Sequence, residues 1–302
     1  MTRHGTHQGA PRVAIATDPP DRHAEELASA LGSLGARPVP FSLSACRFDT
    51  ESASGLSVPG FEEGVPDAVF GRSVSGGSFE AVTCRLGVLH ALGALGVPVW
   101  NPARAIERCV DKSTTSFLLA RAGLPTPRAW AAEGRAAAEA VVAREKEAFV
   151  LKPLFGSQGH GLRRVERIAD LPDPGEVGDV YYLQRWVPPY GTDFQDHRVL
   201  VCAGHVLAAM TRRGTGWVTN IHQGASPEPL EPDAEMVGLA LRAAACVGAA
   251  YAGVDLMRGP DGALLVIEVN SMPAWAGLQS VTHVPIARRL AEAVLRSAQG
   301  QA

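Results

Sequence analysis

The first hundred residues alternate short apolar runs with stretches whose apolar residues recur every three or four positions. The apolar runs predict strands at 13–16, 67–70 and 97–100. The spacing of the leucines between them predicts helices over 22–35 and 82–96. Strands that alternate with helices in this way favour a small open α/β sheet.

The pattern changes after residue 101. Asn101 offers a side-chain acceptor for a helix N-cap and Pro102 suits the first helical position, so we predict a helix from here to about Gly123. The two prolines of 124–127 end it. The later apolar runs predict strands at 149–153, 162–168, 181–183, 197–202 and 206–211, helices over 234–250 and 285–298, and a hairpin between these two helices.

Composition excludes two broad classes of protein. The 302 residues leave room for about two domains of roughly 150 residues. With 46% hydrophobic and 20% charged residues, the chain can build folded cores, which excludes a largely disordered protein. A formal net charge of −3 lacks the basic field that general nucleic-acid binding needs. An anionic ligand must therefore be held by a local arrangement of donors.

Cysteine usage and hydropathy favour a cytoplasmic protein. The five cysteines include no CxxC pair and their odd number does not suit a disulfide framework, so we predict reduced thiols. The polar start of the chain has no apolar run of signal-peptide length. The longest apolar stretch, 239–254, is interrupted by Arg242 and predicts a buried helix instead of a membrane span.

A glycine-rich loop follows the strand predicted at 149–153. Gly156, Gly159 and Gly161 fall within six residues, which lets main-chain N–H groups converge on a phosphate, and Lys152 supplies a cation. The loop has no GxxxxGK[ST] pattern and a strand follows it, so it is neither a Walker loop nor a Rossmann fingerprint. The alternative is an ordinary hairpin loop with a surface lysine.

The final hairpin carries two acids and an amide. Asp261-Gly262 is the favoured pair for a two-residue type I′ turn, and in that register Asp255 faces Glu268 while Asn270 lies two residues further on the same face. Cross-strand Cβ atoms are about 5 Å apart. Two carboxylates at that spacing repel by about 3 kcal/mol at an effective dielectric of about 20. We therefore expect a shared proton or a divalent cation between them.

Oxygen ligands of this kind suit Mg²⁺ or Mn²⁺ and do not suit zinc. Magnesium beside a phosphate loop indicates ATP. The alternative is a solvated hairpin with exposed acids, which the strongly apolar residues around Asp255 and Glu268 disfavour.

Taken together, these motifs resemble the ATP-grasp enzymes and, within that superfamily, the RimK-type L-glutamate ligases. The resemblance runs from Phe70 to about Leu278, roughly two-thirds of the chain. Its blocks are Val110-Asp111-Lys112, 124–127, Lys152-Pro153 with the glycine flap, 184–187, 196–201, 208–213, 219–224, Asp255, and Glu268-Val269-Asn270.

The resemblance implies an α/β protein of the ATP-grasp fold in three parts. An N-terminal open α/β domain on the substrate side would cover 1–101. A central lid domain with the glycine flap would cover 102–187, and a C-terminal antiparallel-sheet domain with the metal site would cover 188–302. ATP would lie between the last two parts.

The resemblance also implies nucleotide contacts at particular positions. These are Lys112 and Lys152 for the phosphates, the flap positions Gly156, Ser157, Gly159 and Gly161 around them, the main chain of Gln184, Arg185, Trp186 and Val187 for adenine, and Asp196 or Asp193 for the ribose. The alternative for Lys112 is a lysine on a helix surface. Gln184 stands where relatives commonly carry an acid, which is compatible with adenine bonds made by main-chain atoms.

For catalysis the resemblance implies metal ligands and two arginines. Asp255, Glu268 and Asn270 would bind two Mg²⁺ ions, with Mn²⁺ as the alternative, between the β- and γ-phosphates. Arg198 and Arg212 would face the transferred phosphoryl group and the acyl phosphate. The alternative for Arg212 and Arg213 is an exposed pair at a strand end.

Two weaker candidates concern the substrate. Arg72 ends the strand predicted at 67–70, at the sheet edge where open α/β sheets bind ligands, and could hold a substrate carboxylate. The alternative is a loop arginine in water. Asn220 is the second candidate, and Val218 two positions before it stands where many relatives carry a basic residue. His222 and His283 are interpreted as structural histidines.

The expected activity is ATP-dependent amide formation through an acyl phosphate. The expected amine is L-glutamate, and the expected acceptor is the carboxylate of a small molecule such as a pterin cofactor. Alternatives are glutamylation of a protein tail, a D-alanine–D-alanine-type ligase, and a non-catalytic ATP-binding module. We expect no nucleic-acid or membrane partner, and whether the chain forms a homo-oligomer is left open.

Overall fold

The computed structural model describes residues 9–156 and 159–300, which form three main sheets. The first is a parallel sheet with strand order β2-β1-β5-β6. Its part of the chain contains β1 (Arg12–Ala16), α1 (Arg22–Ser33), β2 (Arg37–Phe41), the short pair β3 (Arg47–Phe48) and β4 (Leu56–Ser57), β5 (Ala68–Gly71), α2 (Phe79–Ala94) and β6 (Val99–Trp100).

The predicted α/β alternation is confirmed, but strand β2 and the short pair β3 and β4 were missed. The structure has strands at all three predicted places, and both predicted helices are present between them. Strand β2 escaped prediction because Pro38 and Pro40 interrupt its apolar pattern. It lies at the edge of the sheet, where one side of the strand has no partner. A proline is tolerated there because its missing N–H is not needed for pairing on that side.

The helix predicted from Asn101 to Gly123 is wrong in two respects. It is two helices, α3 (Ala103–Val110) and α4 (Lys112–Arg121), because Asp111 leaves the helical conformation and its carboxylate caps the second helix at the N–H groups of Ser113 and Thr114. Asn101 caps neither helix, since Pro102 precedes α3 directly without a side-chain cap.

Instead, Asn101 is a fully buried bridge between distant parts of the chain. Its Nδ2 donates to the carbonyl oxygens of Tyr251 (2.7 Å) and Ser271. Its Oδ1 accepts from the N–H groups of Ala250 (2.6 Å) and Tyr251 (3.0 Å). All the hydrogen-bonding capacity of this amide therefore goes to main-chain groups that are 149–170 residues away in sequence.

The second sheet is antiparallel, with order β7-β10-β8-β9. Its part of the chain contains β7 (Ala129–Glu133), α5 (Arg135–Glu145), β8 (Phe149–Lys152), β9 (Arg163–Val165) and β10 (Val180–Arg185). Helix α5 was not predicted, because its buried face amounts to Ala138 and Val142 and gives little periodicity. The strand predicted at 162–168 ends early because the N–H groups of Glu166 and Arg167 turn to the Asp170 carboxylate.

The third sheet is antiparallel, with order β13-β12-β11-β14-β15. The elements from here to the C-terminal end are β11 (Phe194–Cys202), β12 (His205–Gly214), β13 (Ser226–Pro229), α6 (Ala234–Val247), β14 (Tyr251–Arg258), β15 (Leu264–Asn270), α7 (Ala276–Ser280) and α8 (Ile286–Ala298). The predicted strands and helices here are confirmed. No helix among residues 9–156 and 159–300 is both long and apolar enough to span a membrane.

Alternation along β11 divides the third sheet between two cores. Val199 and Val201 pack under α6, while Leu200 and Cys202 join a core that includes α8, α1 and the first sheet. Trp100 donates from Nε1 to the Ser297 hydroxyl of α8 at 3.0 Å. The C-terminal helix thus packs on the N-terminal sheet, and the domain boundaries at 101 and 187 stay predictions.

The final hairpin pairs as predicted but turns differently. Asp255 lies opposite Glu268, and Gly253 lies opposite Asn270. The type I′ turn is wrong: the loop has three residues, the Gly262 N–H donates to the Gly259 carbonyl at 2.8 Å, and only Gly262 takes a positive φ (81°). This turn alone would shift the pairing by one residue, and a bulge next to Asp255 restores the register.

Replacing Asn101 by Ala should destabilise the protein, because it leaves two N–H groups and two carbonyl groups buried without a partner. We expect the free energy of unfolding to fall by about 3 kcal/mol, measured by urea denaturation. Ser33→Ala, which removes an exposed hydroxyl from the same part of the chain, should change it by less than about 0.5 kcal/mol. Equal stability of Asn101→Ala and the native protein would contradict the bridging role.

Thiol labelling should separate the cysteines, all five of which are free as predicted. Burial raises the pKa of Cys109 and of Cys202 to about 12, so both stay protonated and unreactive at pH 8, whereas Cys84 is exposed. We expect iodoacetamide at pH 8 to modify Cys84 first, as read by peptide mass spectrometry. All five should react in urea, and fast native labelling of Cys109 would refute the assigned burial.

Candidate active site

A single cleft of about 670 Å³ brings together residues from all three sheets. It is lined by most of the residues singled out from the sequence, namely Arg72, Lys112, Lys152, Gly156, Gly159, Gln184, Arg185, Trp186, Val187, Asp196, Arg198, Arg212, Asn220, Asp255, Glu268 and Asn270. Gly161 and Asp193 do not line it, and Ser157 lies outside the described residues.

The acids of the final hairpin lie in this cleft and not in open solvent, so the solvated-hairpin alternative is wrong. Asp255 is 6% exposed. Arg198 donates to both its carboxylate oxygens, with Nη2 at 2.7 Å from Oδ2, and Nη2 of Arg212 lies 3.0 Å from the same oxygen. Burial alone would raise the pKa of Asp255, but the two guanidinium groups outweigh it and hold that pKa below its usual value.

This arrangement corrects the expectation that a shared proton or a metal ion must offset the Asp255–Glu268 repulsion. Two arginines from the neighbouring strands β11 and β12 already compensate the Asp255 charge. They were missed as partners because their contact with β14 follows from the strand order of the sheet and not from any local spacing.

Two buried lysines stand near Glu268. Lys112, at the start of α4, donates from Nζ to the carbonyl oxygens of Gly156 (2.8 Å) and Leu154 (3.3 Å), so it holds the start of the flap and is not the surface lysine of the alternative interpretation. Lys152 ends β8 and is equally buried. Burial lowers the pKa of both lysines, and the negative charge of Glu268 opposes that effect in each.

Arg212 links two acids in the floor of the cleft. Its Nε and Nη2 each lie 2.6 Å from an oxygen of Asp196, and the same side chain reaches Asp255. The Thr219 hydroxyl donates to Asp196 at 2.7 Å. Burial would lower the pKa of Arg212, but the charges of Asp255 and Asp196 raise it above its ordinary value. With 4% exposure, Arg212 is not part of an exposed strand-end pair.

Thr219 was missed by sequence reasoning as a contributor to this cluster. It stands next to Asn220 in one of the blocks of the resemblance, but a single threonine does not by its residue type indicate a functional site. Asp193, the second ribose candidate, is instead exposed and accepts from Arg213 Nη1 at 2.6 Å.

The segment 184–187 leaves β10 along the wall of the cleft. Gln184 is buried, and its Nε2 donates to the Ile267 carbonyl on β15 at 3.3 Å. The N–H groups of Arg185 and Trp186 donate to main-chain carbonyls at 2.8 Å each. The N–H groups of these two residues are therefore already used inside the protein.

The glycine flap packs directly on the loop that follows β12. A Cβ on Gly159 would lie 3.0 Å from Val218 Cγ1, and one on Gly161 would lie 2.8 Å from Pro153 Cγ. Both glycines have a positive φ, of 73° and 71°. Glycine is needed here for both reasons. Val218, the departure from the family pattern, serves as an apolar contact of the flap.

Arg72 is 9% exposed and lines the cleft from the N-terminal part of the chain, so it is not a loop arginine in water. Its Nη2 lies 2.7 Å from Asp21 Oδ2, and its Nη1 donates to the Met272 carbonyl at 3.3 Å. Of the two histidines interpreted as structural, His222 is exposed and lines the cleft, whereas His283 does not line it. His23 also lines the cleft, without any signal in its sequence context.

The donor set of the hairpin fits a hard divalent cation. Asp255 accepts three N–H bonds, and a carboxylate offers about four acceptor positions, so one is left for a cation. Asn270 donates from Nδ2 to the Gly253 carbonyl at 3.4 Å, which leaves its amide oxygen as an acceptor. Among the described residues, the cleft included, no group of three or more His, Cys, Asp or Glu could hold a metal, so the candidate ligand set here is two carboxylates and one amide.

Comparison with known proteins agrees with this geometry. The family model of the RimK-like ATP-grasp domain matches residues 109–294. The tetrahydromethanopterin:alpha-L-glutamate ligase of Methanococcus maripaludis is 39% identical over 210 residues, which cover 67% of this chain and 71% of that protein. The alpha-aminoadipate–LysW ligase LysX of Saccharolobus solfataricus is 28% identical over 207 residues, or 66% and 74% of the two chains.

Solved structures show the same fold. The ATP-grasp ligase PsnB, complexed with minimal precursor, Mg and ADP, superimposes with a TM-score of 0.74 at 24% identity, covering 98% of this chain and 100% of PsnB. The RimK domain protein of Sphaerobacter thermophilus gives a TM-score of 0.70 at 21% identity, covering 94% and 99%. With a family model that spans well over half of its residues, the chain belongs to the RimK-like ATP-grasp family and has the fold of the ATP-grasp ligases.

Proposed function

We propose that this ATP-grasp ligase joins the amine of L-glutamate to a carboxylate of a small-molecule acceptor. Membership of the family implies the use of ATP and a divalent cation. The observation that carries the proposal is the convergence, in one cleft, of Asp255, Glu268 and Asn270 with Lys112 and Lys152. Hard oxygen ligands and cations together are what a metal-bound triphosphate requires.

The proposed reaction has two steps. The acceptor carboxylate attacks the γ-phosphate of ATP, which gives an acyl phosphate and ADP. The amine then displaces phosphate through a tetrahedral intermediate and forms the amide. No nucleophilic side chain is needed because phosphate is the leaving group, so the protein contributes positioning and positive charge.

The buried lysines and arginines of the cleft are assigned to the negative charges of ATP and of the acyl phosphate. Lys112 and Lys152 bind the phosphates together with the glycine-rich segment 156–161. Arg198 and Arg212 face the transferred phosphoryl group and the acyl phosphate. Because both arginines are held by Asp255, they meet the reacting group in a fixed orientation and need little reorganisation.

Magnesium is assigned to Asp255, Glu268 and Asn270, as two ions, with Mn²⁺ as the alternative. When bound, it neutralises phosphate oxygens and orients them for transfer. Adenine is assigned to the segment 184–187 through Val187 and the main-chain carbonyls. Of the two ribose candidates, Asp196 is kept, because Asp193 does not line the cleft. Asp196 has in addition the role of positioning Arg212, which it binds at two nitrogens.

Relatives support a small acceptor and glutamate. Three ligases named for tetrahydromethanopterin and alpha-L-glutamate are 31–39% identical to this chain, and one named for coenzyme gamma-F420-2 is 26% identical. Arg72 and Asn220 are assigned to the substrates. Product mass spectrometry distinguishes this proposal from the three alternatives, which are protein-tail glutamylation, a D-alanine–D-alanine-type ligase and a non-catalytic ATP-binding module. A glutamyl mass increment on a small acceptor supports the proposal.

Glu268→Gln should abolish catalysis, because it removes one carboxylate from the metal site while keeping the size of the side chain. We expect ADP release with Mg-ATP, L-glutamate and an acceptor such as tetrahydromethanopterin to fall about 100-fold or more, with the circular dichroism spectrum unchanged. Glu133→Gln, at an exposed position of β7, is the matched control and should keep full activity. Unchanged turnover in Glu268→Gln would remove the metal assignment.

Asp196→Asn tests the positioning of Arg212, because the amide keeps the shape of Asp196 but donates where the guanidinium needs an acceptor. We expect kcat to fall about 10-fold or more, with a smaller change in the KM for ATP. Asp173→Asn, at an exposed aspartate of the central sheet region, should leave both constants unchanged. A rise in the KM for ATP at constant kcat would instead support a ribose contact.

A further inference from the structure

One end of the cleft lies against the N-terminal sheet. The loops after β1 and β5 meet there, at the carboxyl edge where open α/β sheets bind their ligands. His23, Arg72, Ser73 and Val74 line this end from the N-terminal side. None of them is needed to hold ATP or the metal in the proposed function.

Arg72 is an arginine with bonding capacity left over. A guanidinium carries five N–H donors and binds a carboxylate best with two of them in parallel. Asp21 engages Nη2 at 2.7 Å, and the Met272 carbonyl takes one bond from Nη1 at 3.3 Å. The Nε of Arg72 is buried and has no hydrogen-bond partner among the described residues. Arg72 therefore does not bind a carboxylate with two parallel N–H donors in this structure.

The ion pair between Asp21 and Arg72 is weak enough for a substrate carboxylate to replace Asp21. The Asp21 side chain is 40% exposed, and one of its oxygens is already used to cap α1 at the Ala24 N–H, at 2.9 Å. Only the other oxygen reaches Arg72. A partly exposed ion pair through one oxygen contributes little in water, so a carboxylate that offers both oxygens can displace it.

The position of Arg72 also matches a substrate that reacts at the metal site. Met272, whose carbonyl Arg72 binds, comes two residues after the proposed metal ligand Asn270. Two residues of chain span at most about 7 Å. Burial, followed by the charge of Arg72, lowers the pKa of His23, so the neighbouring imidazole adds no second cation there at neutral pH. This end of the cleft thus offers one positive charge to one carboxylate.

We propose that Arg72 binds a second, non-reacting carboxylate of a substrate, and that Asp21 occupies this binding position until the substrate displaces it. The inference rests on the proposed function for the identity of the reacting groups. It adds that Arg72 is the residue that recognises a dicarboxylate substrate. The second carboxylate belongs either to the amine-donating amino acid or to the acceptor.

Calorimetric titration in the presence of Mg²⁺ and a non-hydrolysable ATP analogue measures this directly. L-glutamate against L-glutamine reports on the amino-acid position, and N-acetyl-L-glutamate against N-acetyl-L-glutamine reports on the acceptor position, since these lack a free amine. In one of the two pairs the native protein should bind the dicarboxylate at least about 10-fold more tightly than the amide. Arg72→Gln should abolish that preference.

Asp21→Asn is the decisive second variant, because asparagine caps a helix as well as aspartate but carries no charge to compete for Arg72. It should tighten binding of the same dicarboxylate about threefold. In the double variant with Arg72→Gln the gain should vanish. Arg47→Gln, at an exposed arginine of the same part of the chain that does not line the cleft, should change nothing.

Three outcomes would overturn the inference: an unchanged dicarboxylate preference in Arg72→Gln, no gain in Asp21→Asn, or no dicarboxylate binding by the native protein. Because the readout is binding, it is independent of turnover. A preference that depends on Arg72 without any ADP release would mean that the subsite exists and the proposed ligase activity fails. ADP release by the native protein together with an unchanged dicarboxylate preference in Arg72→Gln would mean that the ligase activity exists and the proposed subsite does not.

Discussion

A buried series of alternating charges organises the centre of this protein. Arg198 binds Asp255, Asp255 also meets Arg212, and Arg212 binds Asp196 at two nitrogens. Isolated buried charges are very costly, and removing one member of such a series leaves its neighbour uncompensated. The series crosses strands β12, β11 and β14, so it ties the order of the sheet to the orientation of each side chain. The hairpin carboxylate can therefore stay ionised and aimed into the cleft.

The same arrangement creates a local field opposite to that of the whole chain. Six lysine and arginine side chains line the cleft among the described residues, against three carboxylates, whereas the chain carries a net charge of −3. Walls of low polarisability strengthen such a field and attract anions into it. The molecule can thus be selective for phosphates and carboxylates without being a general polyanion binder.

The cleft lies where three sheets meet, and contacts far from it keep the sheets together. Asn101 ties the end of the first sheet to the start of β14, and α8 returns to pack beside α1. Arg72 reaches Met272, just beyond the strand that carries Glu268 and Asn270. Arg72 is consequently joined to the strand of Glu268 and Asn270 through a few residues of one segment.

Local features were readable from the sequence because their physics is local. The glycine flap, the apolar strands and the pairing of Asp255 with Glu268 depend on residues close together in the chain, and the pairing survived an incorrect turn because a bulge compensated for it. Strand β2 and helix α5 gave too weak a pattern, and Asn101 imitated a helix cap. The partners of Asp255 and Asp196, and the neighbours of Arg72, come from other strands or distant loops. The strand order of the third sheet decides the partners of the two acids, and the packing of that sheet against the N-terminal part decides the neighbours of Arg72. Neither could be read from the sequence, since charge compensation in a buried site depends on distance in space and not on distance along the chain.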